Sequence, residues 1–186
     1  MKSFQPPAVA SRSLVESTTT FNSPVTRRLL DYWDILRCGR ARPRLRDFEL
    51  MEIYEIAPTL VIRDLIDGGA EFRCRYWGTR LVPFFGFDAT GKLLMDCYVP
   101  DSAEVLRNRM LTAMTAEMPI RVAGIVDLVD TIVPKSYEAV WLGLDDDDGR
   151  PAHAVAVFDV DYRLTPEDNA RHQAATEADA IVYSRT

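Results

Sequence analysis

Apolar residues at helical spacing dominate the first part of the chain. Ser23 followed by Pro24 is typical of a helix start, because serine caps free N–H groups and proline fits the first turn. Apolar positions then recur every three or four residues until Gly39. A short second helix is predicted over residues 47–56, ending before Pro58.

Strand patterns begin after this second helix. Residues 59–67 and 70–77 are rich in β-branched and aromatic side chains, and they flank the pair Gly68-Gly69. Two such runs around a two-residue glycine turn predict a hairpin. Glycine and proline interrupt residues 78–100, so only short helical turns fit there.

A longer helix is predicted from Asp101, with Glu104 placed as in a capping box, up to Pro119. Three more strand patterns follow, over residues 120–132, 136–144 and 152–160. Strands joined by tight turns pair antiparallel, and the long helix crosses between the two strand groups. The sequence therefore predicts an α+β fold, a five-stranded antiparallel sheet with the helices on one face.

The composition changes at both ends of this pattern. Residues 1–23 are rich in serine, threonine and proline and have few large apolar side chains, so we expect a flexible N-terminal arm. Residues 24–161 form the predicted domain, including its extra N-terminal helix. Residues 162–186 form a tail with a C-terminal helix that starts at Pro166 and ends at about residue 180.

Composition narrows the class of protein. The chain has 186 residues, 47% of them hydrophobic and 27% charged, which is typical of one soluble globular domain. Its net charge of −6 excludes a wholly basic nucleic-acid-coating protein but leaves a local basic patch open. No apolar run approaches the roughly 20 residues that cross a bilayer, and no signal-peptide core is visible. The three cysteines form no C-x-x-C pair, so we expect a reduced, cytoplasmic protein.

Several runs of residues resemble, in order, a bacterial subfamily of PAS domains. That subfamily begins with a YW-x-x-LR helix and a loop with Gly-Arg, Pro and Arg, as in the run YWDILRCGRARPR at residues 32–44. The run FRCRYWGT at residues 72–79 is similar to its second strand. Thr90-Gly91 and the hairpin at residues 137–149 are also similar, although Gly143 stands where the subfamily usually has proline.

The resemblance implies a PAS fold, in which the predicted strands, numbered in chain order, lie side by side as 2-1-5-4-3. PAS domains are sensory and protein-interaction modules, often dimeric, that can hold a small molecule between sheet and helices. We therefore expect a stand-alone, homodimeric PAS-like module that signals through a separate partner chain. Signalling PAS domains often end their last strand with an aspartate followed by a short apolar residue and a hydroxyl residue. Asp159-Val160-Asp161 matches this motif only in part.

Alternate strand residues share a face, and the apolar set should face the helices. The candidate pocket residues are Phe72, Cys74, Tyr76, Phe84, Phe85, Met110, Met114 and Trp141. Tyr76 is the expected polar contact, because its hydroxyl can form a hydrogen bond. The alternative is a solid core without a cavity. The candidate dimer interface is the face of the first helix with Leu29, Trp33 and Leu36.

No cofactor or metal is expected. Flavin-binding PAS domains that form a cysteine adduct have an Asn-Cys-Arg motif, whereas Cys97 follows Asp96 and lacks the asparagine. Haem-binding members ligate iron with a histidine of the long helix, and the two histidines of this chain, His153 and His172, lie elsewhere. No set of three or four converging zinc ligands is visible.

Two charged runs have a binding interpretation and a simpler one. Asp145 to Asp148, before Gly149, could bind calcium, but the spaced glutamate of an EF-hand loop is missing, which favours a solvated turn. Five arginines between residues 37 and 46 suit phosphate or nucleic acid. We expect them to pair with acidic side chains instead, because the chain as a whole is acidic.

An enzyme is the alternative class. Small α+β isomerases and dehydratases have a comparable size, and a carboxylate in a cavity would serve them as acid or base. The acidic residues of the predicted strands alternate with apolar neighbours, which is typical of solvent-facing positions. We therefore expect a non-enzymatic protein, and a carboxylate that meets His153 inside a closed cavity would favour the enzyme.

Overall fold

One antiparallel sheet organises the computed structural model, which describes residues 10–116, 118–127, 134–175 and 179–182. Its strands are β1 (Ala10–Ser17), β2 (Leu60–Ile66), β3 (Glu71–Trp77), β4 (Ile120–Asp127), β5 (Lys135–Asp145), β6 (Pro151–Asp159) and β7 (Asp179–Val182). The helices are α1 (Pro24–Arg37), α2 (Leu81–Phe85), α3 (Leu94–Cys97), α4 (Pro100–Thr115) and α5 (Pro166–Ala174). None of the helices in these ranges is long and apolar enough to cross a membrane.

The order of the strands confirms the predicted fold. The sheet runs β3-β2-β6-β5-β4-β1-β7, and its first five strands are the predicted ones in the order 2-1-5-4-3. Every neighbouring pair is antiparallel. The architecture is therefore α+β and PAS-like, with two further strands at one edge.

The strand β1 corrects the prediction for the N-terminal region. It pairs with β4 along its whole length, from Ala10 opposite Asp127 to Ser17 opposite Ile120, and β7 pairs with its other edge. The prediction of a flexible arm is thus wrong for residues 10–17, and residues 1–9 lie outside the described residues. Backbone hydrogen bonds hold this serine-rich segment, so it needs few large apolar side chains.

Helices cover both faces of the sheet, so the prediction of helices on one face is wrong. We call the side with Val61 and Trp141 the inner face; it packs against α2, α3 and α4. The side with Ile62 and Val140 is the outer face, which packs against α1. The central strands are apolar on both sides, so each face must be covered to be removed from water.

The helix α1 belongs to the outer face. Ser23 caps it, since its Oγ accepts hydrogen bonds from the N–H groups of Val25 and Thr26. Leu29 is 0% exposed against the sheet, and Trp33 and Leu36 are partly buried in the same cluster. The prediction of Leu29 as a dimer contact is therefore wrong, because its own chain already covers it.

Two of the predicted helices are replaced or shortened in the structure. Three 3-10 turns, Leu45–Asp47, Leu50–Ile53 and Ala57–Thr59, replace the predicted second helix. The C-terminal helix α5 begins as predicted at Pro166, after its cap Thr165, but ends at Ala174. The chain then returns to the sheet as β7.

Candidate functional site

A β-bulge in β3 decides which aromatic side chain faces the inner core. The pairing of β2 with β3 shifts by one residue between Ile62, opposite Tyr76, and Arg63, opposite Cys74. An extra residue reverses the alternation of side chains along a strand. Trp77 therefore packs with Cys74 on the inner face, and Tyr76 packs on the outer face. The prediction of Tyr76 as the polar pocket contact is wrong for this reason.

A cavity of about 30 Å³ lies between the inner face and the helices. That volume holds one or two water molecules. Its walls combine aromatic and aliphatic side chains with two arginines, two tyrosines and one serine. The lining residues are Ser11, Arg63, Trp77, Phe85, Leu94, Tyr98, Leu106, Arg109, Met110, Tyr137, Trp141 and Phe158.

The predicted pocket residues fall into two groups on the inner face. Phe85, Met110 and Trp141 line the cavity. Phe72, Cys74, Phe84 and Met114 belong to the same buried cluster without lining it. The structure thus brings seven of the eight residues together, and their contact with a ligand stays a prediction.

The sequence analysis missed the polar wall of the cavity. Arg63 interrupts an apolar run and alternates with Val61 and Leu65, which both pack on the inner face. Because residues two apart share a strand face, this spacing was sufficient to place Arg63 inside. Ser11 could not be found in this way, since β1 has no apolar alternation of its own.

Arg63 brings an unpaired positive charge into the cavity wall. It is 2% exposed, and its guanidinium lies 5.7 Å from the centre of the Trp77 ring. The Arg63 Nη1 and the Trp77 Nε1 are both buried without a hydrogen-bond partner. Among the described residues no acidic side chain lines the cavity, and none forms a salt bridge with Arg63.

The other polar wall groups are engaged with the protein. Arg109 Nη2 donates to Ser13 Oγ at 3.1 Å. Burial raises the pKa of the Tyr137 phenol. Arg109 and a hydrogen bond with Ser11 lower this pKa, but by less than burial raises it. The Tyr137 ring rests on Gly124, its cross-strand partner in β4, where a methyl group would overlap the ring. Both tyrosines of the cavity stay neutral near pH 7, since burial also raises the pKa of Tyr98.

The inner-face cysteines have the character of packing residues. Burial raises the pKa of Cys74 to about 11, and its Sγ donates to the Tyr76 carbonyl at 3.3 Å. Burial also raises the pKa of Cys97. A reactive cysteine needs the opposite shift, because the thiolate is the nucleophile. The expectation that no flavin adduct forms is consistent with these thiols and stays a prediction.

Comparison with known proteins identifies the fold family. Residues 21–159 match the family model of the PAS domain. The chain belongs to the PAS domain family. No curated protein sequence matches the chain significantly.

Solved structures also resemble this PAS domain. The light-state structure of the blue-light photoreceptor Aureochrome1 LOV aligns with a TM-score of 0.41 at 14% identity, covering 68% of this chain and 100% of that chain. A sensory box histidine kinase/response regulator from Burkholderia thailandensis E264 aligns with a TM-score of 0.35 at 10% identity, covering 68% and 91%.

A buried ion network lies on the outer face of the PAS domain. Arg121 of β4 is surrounded by three carboxylates, with one nitrogen–oxygen distance of 2.7 Å to each of Glu16, Glu138 and Asp168. We call these four residues the Arg121 network. The side chains of Arg121, Glu138 and Asp168 are almost wholly buried. Since Asp168 belongs to α5, the network attaches this helix to the sheet.

Glu138 extends the Arg121 network to the start of α1. Its Oε2 accepts hydrogen bonds from the Ser23 N–H at 2.7 Å and from the Thr26 hydroxyl at 2.8 Å. A carboxylate at a helix N-terminus is favoured by the helix dipole. The Arg121 network thus joins β1, α1 and α5 to the strands β4 and β5.

The acidic and histidine side chains of β2 and β6 meet outside the cavity. His153 Nδ1 lies 2.8 Å from Asp64 Oδ1, and Arg75 Nε lies 2.8 Å from the same oxygen. Burial raises the pKa of Asp64, but its hydrogen bonds with His153 and Arg75 outweigh this effect and lower the pKa. Neither Asp64 nor His153 lines the cavity.

The two charged runs form salt bridges and turns within the domain. Asp145 pairs with Arg42 at 2.6 Å, and Asp146 accepts the N–H groups of Asp148 and Arg150 to stabilise a hairpin turn. No group of three or more metal-ligating side chains occurs among the residues that the structure describes. The other arginine pairs are Arg37–Asp34, Arg40–Asp47, Arg46–Asp47 and Arg46–Asp147. The expectation that these arginines bind no nucleic acid stays a prediction.

We expect the attachment of α5 to weaken in acid. Burial lowers the pKa of His172 below its ordinary value of 6.5, and its Nε2 lies 3.1 Å from the Ala123 carbonyl. Nearby Arg12 and Arg171 also lower this pKa, while the Ala123 hydrogen bond and Asp168 raise it. As the pH falls below 6.5, His172 binds a proton in the unfolded chain but resists it in the folded chain. The contribution of His172 to the free energy of unfolding is therefore present above pH 6.5 and is lost below it.

Thermal unfolding between about pH 7.5 and 5.5 tests this expectation. The wild-type Tm should fall more steeply with acid than that of His172→Gln, which cannot be protonated there. Because every other titrating group is common to both proteins, the difference between the two slopes reports His172. Equal slopes would contradict the assignment.

Proposed function

We propose that this PAS domain is a sensory module that binds a small molecule in its inner-face cavity and signals through a partner chain. The observation that carries this proposal is the pair of buried donors, Arg63 Nη1 and Trp77 Nε1, which have no acceptor. Buried polar groups are hydrogen-bonded in nearly all native structures. A ligand with an acceptor group would satisfy both donors.

The strand β5 connects the cavity with the outer face. Tyr137 of β5 lines the cavity, and its neighbour Glu138 points to the opposite side, into the Arg121 network. A ligand that moves β5 would therefore act on the attachment of α1 and α5. We propose these outer helices as the region that a partner chain reads, and we propose that the module is a homodimer.

The enzyme alternative has less support. A general acid or base must lie within hydrogen-bond reach of a bound substrate. Asp64 and His153 are within reach of each other but lie outside the cavity, and no described acidic residue lines it. We therefore propose a non-enzymatic protein without a metal, flavin or haem.

Native mass spectrometry of the purified protein, followed by a thermal-shift panel of neutral, cationic and anionic small molecules, tests this function. We expect a bound small molecule or a rise in Tm with at least one compound, and a dimer mass. Leu106→Phe fills the cavity and should abolish ligand binding. Thr112→Phe adds the same side chain at an exposed position of α4 and should leave binding unchanged.

Two results would contradict the proposal. One is the absence of both a co-purified molecule and any thermal shift across the panel. The other is a ligand whose binding is unchanged in Leu106→Phe, because it would then occupy another site. A monomeric mass would contradict only the proposed homodimer.

A further inference from the structure

We infer that the cavity binds a carboxylate anion with a short apolar or aromatic body, and that Arg63 holds its charged group. This inference rests on the proposed function and names the chemical class of its ligand.

The positive charge of Arg63 has no negative partner among the described residues. A guanidinium cannot lose its proton in a protein, so it stays positive even where it is buried. Taking such a charge out of water is costly unless an opposite charge compensates it. Arg63 is 2% exposed and forms no salt bridge with the described acidic residues. A bound anion would supply the missing negative charge.

The two free donors lie in the wall of the same cavity. Arg63 Nη1 and Trp77 Nε1 belong to neighbouring strands, both side chains line the same cavity, and the guanidinium lies over the indole ring. Guanidinium N–H groups fit the two oxygens of a carboxylate. One carboxylate could accept from Arg63 and from the indole N–H together.

The donors and the apolar wall of the cavity favour a carboxylate over a phosphate. Only one cavity cation is without a salt bridge or hydrogen bond among the described residues, since Arg109 already donates to Ser13. The free guanidinium of Arg63 fits the two oxygens of one carboxylate, whereas a phosphate dianion would keep further oxygens without a donor. The remaining wall is mostly aromatic and aliphatic, which suits a hydrocarbon body. The cavity as it stands holds one or two water molecules, so an acid enters only if a wall side chain moves, and Met110 has the flexible side chain that it would displace.

A series of sodium acetate, butyrate and benzoate tests the inference by thermal shift and titration calorimetry. Benzamide and benzylamine carry the benzoate ring with a neutral and a positive group, and inorganic phosphate tests the other anion class. We expect the Tm to rise with butyrate or benzoate at constant ionic strength. Benzamide, benzylamine and phosphate should leave the Tm unchanged.

Arg63→Met removes the charge and keeps most of the side-chain length. We expect it to weaken carboxylate binding by roughly tenfold to a hundredfold, the usual effect of losing a hydrogen bond to a charged group. Without ligand, this variant should be at least as stable as the wild type, because an uncompensated buried charge has been removed. Arg73→Met makes the same change at an exposed position of β3 and should bind like the wild type.

The outcomes separate this inference from the proposed function. Binding of neutral, cationic or phosphate compounds without carboxylates would overturn the carboxylate assignment while a sensory ligand site remains. Equal carboxylate affinity in Arg63→Met and the wild type would overturn the role of Arg63. If no compound of the thermal-shift panel changes the Tm and no molecule co-purifies, the proposed function itself is overturned, and the inference with it.

Discussion

Arg121→Met is expected to lower the free energy of unfolding by about 3–5 kcal/mol. The substitution leaves Glu138, which is 0% exposed at its side chain, and Asp168 without their common counter-charge. Desolvated carboxylates then repel one another instead of meeting a guanidinium. Methionine fills much of the volume of the arginine stem, so the loss reports charge and hydrogen bonding more than packing.

Urea unfolding at neutral pH measures this effect, and Arg75→Met is the matched control. Arg75 pairs with Asp64 at 2.8 Å, but its side chain is half exposed, so its removal should cost less than about 1 kcal/mol. Hydrogen exchange should also become faster in α1 and α5 of Arg121→Met. Equal losses in the two variants would contradict a structural role of the Arg121 network.

Local turns predict the hairpin pairs of the sheet, whereas the full strand order, with β2 beside β6, is what the resemblance to PAS domains implied. Tight glycine and aspartate turns join β2 to β3 and β5 to β6, so these pairs had to be antiparallel neighbours. The need for helices on both faces of the sheet was visible in the sequence of β5. Val140 and Leu142 are apolar on one side of β5, and Ala139 and Trp141 on the other. A strand with two apolar faces requires a second layer, which α1 supplies.

The polar part of the cavity was harder to predict because it depends on tertiary pairing. The bulge opposite Arg63 exchanges Tyr76 for Trp77 at the cavity, and a single strand pattern does not show an inserted residue. The alternation of Arg63 with Val61 and Leu65 was a readable signal that the sequence analysis passed over. Ser11 entered the cavity wall through the pairing of β1 with β4, between residues more than a hundred positions apart.

Leu29→Ala should lower the free energy of unfolding by about 2–5 kcal/mol, the range for a buried leucine whose cavity cannot close. Leu29 is 0% exposed and packs in the outer-face cluster that α1 shares with β2, β5 and β6. Urea unfolding measures the loss. Ile35→Ala is the control on the same helix, since Ile35 is 72% exposed and should change stability by less than about 0.5 kcal/mol.

The dependence on protein concentration decides between the two roles that Leu29 has been given. If Leu29 covers its own sheet, the loss in Leu29→Ala is the same at low and high protein concentration, because a dimer contact elsewhere would stabilise the wild type and the variant equally. If Leu29 were a dimer contact, the loss would grow with concentration, since association stabilises only the folded wild type. Such growth would contradict the intramolecular packing of α1. A constant loss would direct the search for a dimer contact to other surfaces of the PAS domain.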